Sequence, residues 1–314
     1  MPEARNALRA AVTRDADDPV NDDVRALAET VRAGHPAVAA VLYYGSGLRA
    51  ADPSTTLLDF YVLVDSYTAW YGRGVSAALG AALAPNVHYL EAQVGGRTLH
   101  AKVAVMRTDQ FVAAAGGAGA TPHIWARFAQ PCRLIHARDE SARERVLRAL
   151  VDAVETFHRM AFPLLDGTVY PTAVWKRGLQ ETFARELRSE PPERVDAVIA
   201  AASERLAERT RLAASATSLA QPVQNGARLR ITVTRGQRRA ARLAARLARP
   251  LGKTIALLRL IKATVTFRGG VDYVLWKVER HSGVRVQPSE FQRRHPLLGG
   301  WPLLWKLYRR GGFR

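Results

Sequence analysis

Three groups of residues could do chemistry together in this chain: Gly45-Ser46-Gly47, then Asp59, then Lys102. A triphosphate needs backbone N–H groups at a turn and residues small enough for the backbone to approach. It also needs a carboxylate to hold Mg²⁺ and a cation to cancel the remaining charge. The glycine-serine corner meets the first two needs, with the Ser46 hydroxyl as an added donor. Asp59 meets the third and Lys102 the fourth. A lone Gly-Ser-Gly is also what an ordinary turn between core strands uses, so the motif gains weight only from its surroundings.

The elements that must position these residues show as hydropathy patterns. Val38 to Tyr44 reads as a strand ending at the corner, where a helix could start. A polar loop with Asp52, Pro53 and Ser54 leads to a second strand, Leu57 to Val64. On it Asp59, Tyr61 and Leu63 share one face, while Leu58, Phe60, Val62 and Val64 share the other, greasier one. Val87 to Val105 reads as a hairpin turning at Gly95-Gly96. A two-residue turn sets Glu91 across from His100 and Tyr89 across from Lys102, all on one face, with Leu99, Ala101, Val103 and Val105 on the other. A polar pair on a solvated face explains that pattern equally well. Helices are expected over 23–34, 67–83, 141–160, 174–188 and 193–219, with Ser141 and Glu144 as a capping box. Strand signals fade beyond about residue 140.

The composition bounds the class. At 314 residues the chain can hold two domains, and its single cysteine, Cys132, excludes an internal disulfide and suits a reducing compartment. The first 18 residues lack the apolar core of a secretory signal, and no run of about 20 apolar residues is present to span a bilayer. Net charge is +18, unevenly spread: residues 209–271 hold 14 basic side chains and no Asp or Glu. Such a stretch points to a phosphate-rich partner, membrane headgroups or nucleic acid.

Within that stretch, residues 236–265 carry an apolar stripe of Leu243, Leu247, Leu251, Ile255, Leu258 and Ile261 beside Arg239, Arg242, Arg246, Arg249 and Lys253. The pattern suits a helix lying in the membrane interface, or equally one packed on the core with its basic side in water. Pro250 and Gly252 are expected to kink or break it. Leucine and isoleucine rather than stacking aromatics alternate with the arginines, so nucleic acid is disfavoured as the partner. The tail around Trp301, Trp305 and Tyr308 repeats the aromatic-plus-basic character of interfacial anchors, and the segment 272–283 has no derivable role. The expected architecture is α+β: a mixed sheet with flanking helices over 1–140, a mainly helical domain over 141–235 and a basic amphipathic segment over 236–314.

With these residues in view, the chain resembles the mitochondrial translocator assembly and maintenance family of phosphatidate cytidylyltransferases, the CDP-diacylglycerol synthases. Four blocks carry the likeness in family order: YYGSG at 43–47, LLDFYVLVDSYTAW at 57–70, the hairpin VHYLEAQVGGRTLHAKVAV and WARFAQP at 125–131. The sequence departs from the family at Ser66, Val103 and Gln130, and at Tyr61, where the wider superfamily has a second carboxylate. Asp65 cannot replace it: six residues of strand span about 20 Å, too far for two ligands of one ion. Glu91, Asp52 or the nucleotide itself would have to complete the metal shell. The resemblance implies a nucleotidyltransferase-fold catalytic domain and a reaction of CTP with phosphatidic acid. Gly45, Ser46 and Gly47 would cradle the triphosphate, Asp59 (with Glu91) would hold Mg²⁺, Lys102 would neutralise charge, and Arg127 would grip the lipid phosphate. It also implies a cytoplasmic protein peripheral on the inner face of the membrane, bound to its anionic surface.

Overall fold

The computed structural model describes residues 2–119, 121–186, 192–266, 275 and 287–294. Apolar runs in the first half build one sheet from β1 (Val38–Tyr44), β2 (Leu57–Val64), β3 (Asn86–Val94), β4 (Arg97–Arg107) and β5 (Arg133–Ala137), in the order β3-β4-β2-β1-β5. The β2–β4 pair is parallel and the other pairs antiparallel, so the sheet is mixed. Every residue of β1 is buried, which is why it reads as a continuous apolar run rather than an alternation.

Helices cover both faces. On one, Val24, Leu27 and Val31 of α2 (Asp22–Arg32) cluster with Leu58, Phe60, Val62 and Val64 and with the Leu99–Val105 alternation. On the other, Leu42, Tyr61, Leu63, Ala104 and Met106 join Val146, Leu150 and Val154 of α7 (Glu140–Ala161). The face expected to be the less greasy thus floors the larger core cluster, with Tyr61 2% and Leu63 0% exposed. The hairpin register is the one the spacing sets: Val94 opposite Arg97, Glu91 opposite His100, Tyr89 opposite Lys102. Gly95 and Gly96 sit at φ 57° and 76°, as a tight two-residue turn between twisted strands requires.

Several boundaries differ from the sequence pattern, each for a local reason. The helix expected over 67–83 is two, α3 (Tyr67–Tyr71) and α4 (Val75–Ala82), parted by Gly72 and Gly74 at positive φ. Asp139, not Ser141, caps α7: its carboxylate accepts the Ala142 N–H at 2.8 Å. After α5 (Thr108–Ala115) and the short α6 (Trp125–Phe128), the second half is not purely helical. Besides α8 (Pro171–Ala184), α9 (Pro192–Ala200) and α10 (Ser203–Thr217) it holds a small sheet, β6 (Thr168–Val169), which precedes α8, with β7 (Ala220–Val223) and β8 (Arg228–Ile231), which follow α10, ordered β6-β8-β7. Strands of two to four residues are too short to leave a periodic signal.

No break in the core falls at residue 140. The larger cluster runs from Leu8 through the sheet and α7 to Val233. α1 (Pro2–Asp17) helps bind the two halves: its buried Asp15 pairs with buried Arg209 of α10 at 2.6 Å, and Arg209 also donates to the Ala129 carbonyl. α11 (Arg235–Thr266) continues through Pro250 as one helix. It is held near that point, where Arg249 pairs with the fully buried Glu181 of α8 at 2.7 Å. Gly252 allows close approach, since a Cβ there would stand 2.5 Å from the Arg185 carbonyl oxygen. The aromatic tail from 301 and the 272–283 segment, Leu275 apart, lie outside the described residues.

Candidate functional site

The end of β1 places the glycine-serine corner. Gly45 turns the chain at φ 86°, and Ser46–Arg49 form a 3-10 turn rather than the start of an α-helix. Ser46 is exposed at its first position and Gly47 is buried. The carboxylate of Asp59 lies against the corner: a Cβ built on Gly45 would stand 2.9 Å from Asp59 Oδ2. Asp59 is half-buried and opposite Tyr44, the residue before the corner.

Pairing brings the cation alongside. In the parallel β2–β4 ladder Asp59 is the register partner of Lys102, so their Cα atoms stand about 4.8 Å apart with both side chains on one face. Corner, carboxylate and ammonium thus come from three adjacent strands.

Glu91 does not join them. It lies two strands and two residues from Asp59, about 12 Å away, with both side chains standing perpendicular to the sheet. It is exposed, with its carboxylate 3.6 Å from His100 Nδ1. Asp52 is also engaged: its Oδ1 accepts from Ser54 N at 2.9 Å and Ser54 Oγ at 2.8 Å, and these bonds hold its pKa below the usual carboxylate range. Among the described residues no group of three or more His, Cys, Asp or Glu could hold a metal ion. Of these carboxylates Asp59 is the one set at the corner, where it would hold a divalent cation such as Mg²⁺.

Beyond the corner opens a cavity of about 370 Å³ between the sheet and α11. Tyr44, Tyr61 and Lys102 line its floor, His123 and Arg127 one wall, and Arg185 and Glu186 another. Its roof is Gly252, Ala256, Arg259 and Ala263 of α11. Arg127 lies over the Tyr44 ring at 5.3 Å and donates to the His123 carbonyl at 2.7 Å. Burial opposes its charge, but Tyr44, Tyr61, Glu186 and Asp59 outweigh that and raise its pKa. The sequence reading missed His123, Arg185, Glu186 and Arg259. Only Arg259 leaves a trace: it falls in line with Gly252, Ala256 and Ala263, small residues whose helical spacing marks a close-packed inner face.

No family model and no curated protein matches the chain. Among solved structures, a nucleotidyltransferase-like protein from Exiguobacterium sibiricum 255-15 is similar at 13% identity, over 92% of this chain and 91% of that one, with a TM-score of 0.24. So loose a superposition bears on neither fold nor activity, and the site must be judged on its geometry.

Proposed function

We propose that the chain is a nucleotidyltransferase, and more narrowly a Mg²⁺-dependent cytidylyltransferase that forms CDP-diacylglycerol and pyrophosphate from CTP and phosphatidic acid. The observation that carries this is the Asp59 carboxylate set against the Gly45 corner with Lys102 in register beside it. The corner and Lys102 bind and orient the triphosphate, and Asp59 and Lys102 place opposite charges around its reacting end. Mg²⁺, when bound, supplies charge neutralisation across the phosphate oxygens.

The acceptor phosphate is already anionic near neutral pH, so no dedicated base is required. One of its oxygens bonds to the α-phosphorus of CTP while the bond from that phosphorus to the bridging oxygen breaks. Pyrophosphate leaves with the electron pair. Positioning and electrostatic stabilisation supply the rate.

Membrane association is supported by the outer face of α11. Leu243, Leu247 and Leu251 are 58%, 66% and 51% exposed, in a helix with Arg239, Arg242, Arg246 and Lys253 beside the stripe. No helix among the described residues is long and apolar enough to cross a membrane. The test supplies CTP, Mg²⁺ and phosphatidate vesicles and follows pyrophosphate release. Asp59→Ala and Lys102→Ala should each lower the rate by about 10²-fold or more. Release undiminished in Asp59→Ala would sink the proposal.

A further inference from the structure

We propose that the cavity under α11 is an anion subsite distinct from the corner, one that receives the phosphate monoester of the acceptor through Arg185, Arg259 and the Nε2–H of His123. The assignment deepens the transferase reading and rests on it. The lining charge comes first: apart from Lys102, which the cavity shares with the corner, Arg127, Arg185 and Arg259 face it, and Glu186 is the one carboxylate among the described lining residues. Arg185 is only loosely held by Glu181, at 3.5 Å from its Nε. Burial lowers the Arg259 pKa, so an anion entering there restores what desolvation removes.

His123 supplies the second observation. Its Nδ1 lies 2.8 Å from Thr121 Oγ1 and 3.2 Å from Arg259 Nη1. A guanidinium can only donate, so Nδ1 accepts and the neutral ring carries its proton on Nε2. Burial, with Arg259, Arg127 and Lys262 nearby, holds its pKa well below the usual value and keeps it neutral at pH 7. The Nε2 of His123 and the Nε of Arg259 are both buried with no hydrogen-bond partner among the described residues. Two orphaned donors on residues of one cavity mark where ligand oxygens complete the structure.

Placement supplies the third. Arg259 is on the inner face of the helix whose outer face presents Leu247, Leu251 and Leu258 to solvent. With that outer face on a membrane, as proposed above, a lipid's phosphate would approach from the α11 side, while Ser46 of the corner is exposed to water. Two anions must meet head to head in this reaction, and separate cations at each end relieve their repulsion.

The test measures calorimetric binding of three probes to the full chain: inorganic phosphate, a water-soluble short-chain phosphatidate, and CTP with Mg²⁺. Arg259→Gln should weaken the phosphatidate about tenfold, and His123→Phe somewhat less, with CTP affinity held within about twofold. In turnover, the acceptor KM should rise while the CTP KM stays. Tighter binding of the phosphatidate than of inorganic phosphate supports a lipid acceptor. Equal binding, weakened alike by the variants, supports the subsite with a free phosphate in it. Phosphate and phosphatidate binding unchanged in both variants would overturn the proposal, as would an equal loss of CTP affinity, which gives the cavity to the nucleotide. If Arg259→Gln lacks a native melting transition, His123→Phe decides alone. Absence of pyrophosphate release in the wild type, with Arg259-dependent phosphate binding intact, is instead a failure of the transferase reading.

Discussion

Gly45 and Gly47 are both needed at the corner, for different reasons. Gly45 holds φ 86° with the Asp59 carboxylate where a Cβ would go. In Gly45→Ala, backbone strain and that contact together push Asp59 aside, and pyrophosphate release should fall about tenfold or more. Gly47 has an ordinary φ, but a Cβ there would stand 2.4 Å from the hydroxyl of buried Tyr43. Gly47→Ala should therefore destabilise by about 1–3 kcal/mol through overpacking, read as a lower urea midpoint. A further titrating residue lies in the core. Fully buried His158 has Nδ1 2.7 Å from the Val154 carbonyl and Nε2 3.1 Å from Thr210 Oγ1, and burial pushes its pKa down to about 4. The unfolded chain takes up the proton that the folded one refuses. Stability is thus full above about pH 6.5 and lost as pH falls towards 4, by on the order of 3 kcal/mol. His158→Gln should flatten that part of the melting-temperature profile. At this scale the corner, Asp59 and Lys102 were legible because strand spacing fixes their faces. His123 and Arg185 were not, because only tertiary packing brings them to the cavity.

Among elements, strands whose length and alternation were clear matched the structure, down to the register of the β3–β4 hairpin. α1 was invisible as a tertiary element, since nothing in its sequence tells which distant helix it will meet. Its Asp15 answers Arg209 inside the core, 1% and 2% exposed. Asp15→Ala leaves that guanidinium buried without its carboxylate and should cost about 3–5 kcal/mol in urea unfolding. Asp15→Ala with Arg209→Met should recover part of the loss. α11 had two sequence readings, membrane face or core helix, and the structure shows one packed face and one exposed face. Its inner face roofs the cavity while its outer leucines are exposed. Arg249, expected beside headgroups, instead neutralises buried Glu181. Lys262 donates to the Leu83 and Pro85 carbonyls and to Asn86 Oδ1, tying the helix to the start of β3.

At the scale of the whole molecule, charge asymmetry was legible from composition alone. The larger core cluster, which joins residues on both sides of residue 140, was not. The exposed stripe on α11 predicts vesicle binding that weakens with salt and needs anionic lipid. Leu247→Glu should reduce co-flotation with phosphatidate-containing vesicles about tenfold or more, with the melting temperature held because the side chain is already in water.

The pairing of α1 with α10 also has a bearing on how the protein is made. Asp15 meets Arg209 across 194 positions of sequence, so a ribosome releasing the chain from its first residue exposes Leu8 and Val12 long before their partners exist. The sheet can close early from neighbours close in sequence, but the first helix must wait for α10. Nascent chains halted before α10 emerges should therefore leave that helix open to protease, and those halted after it should protect it.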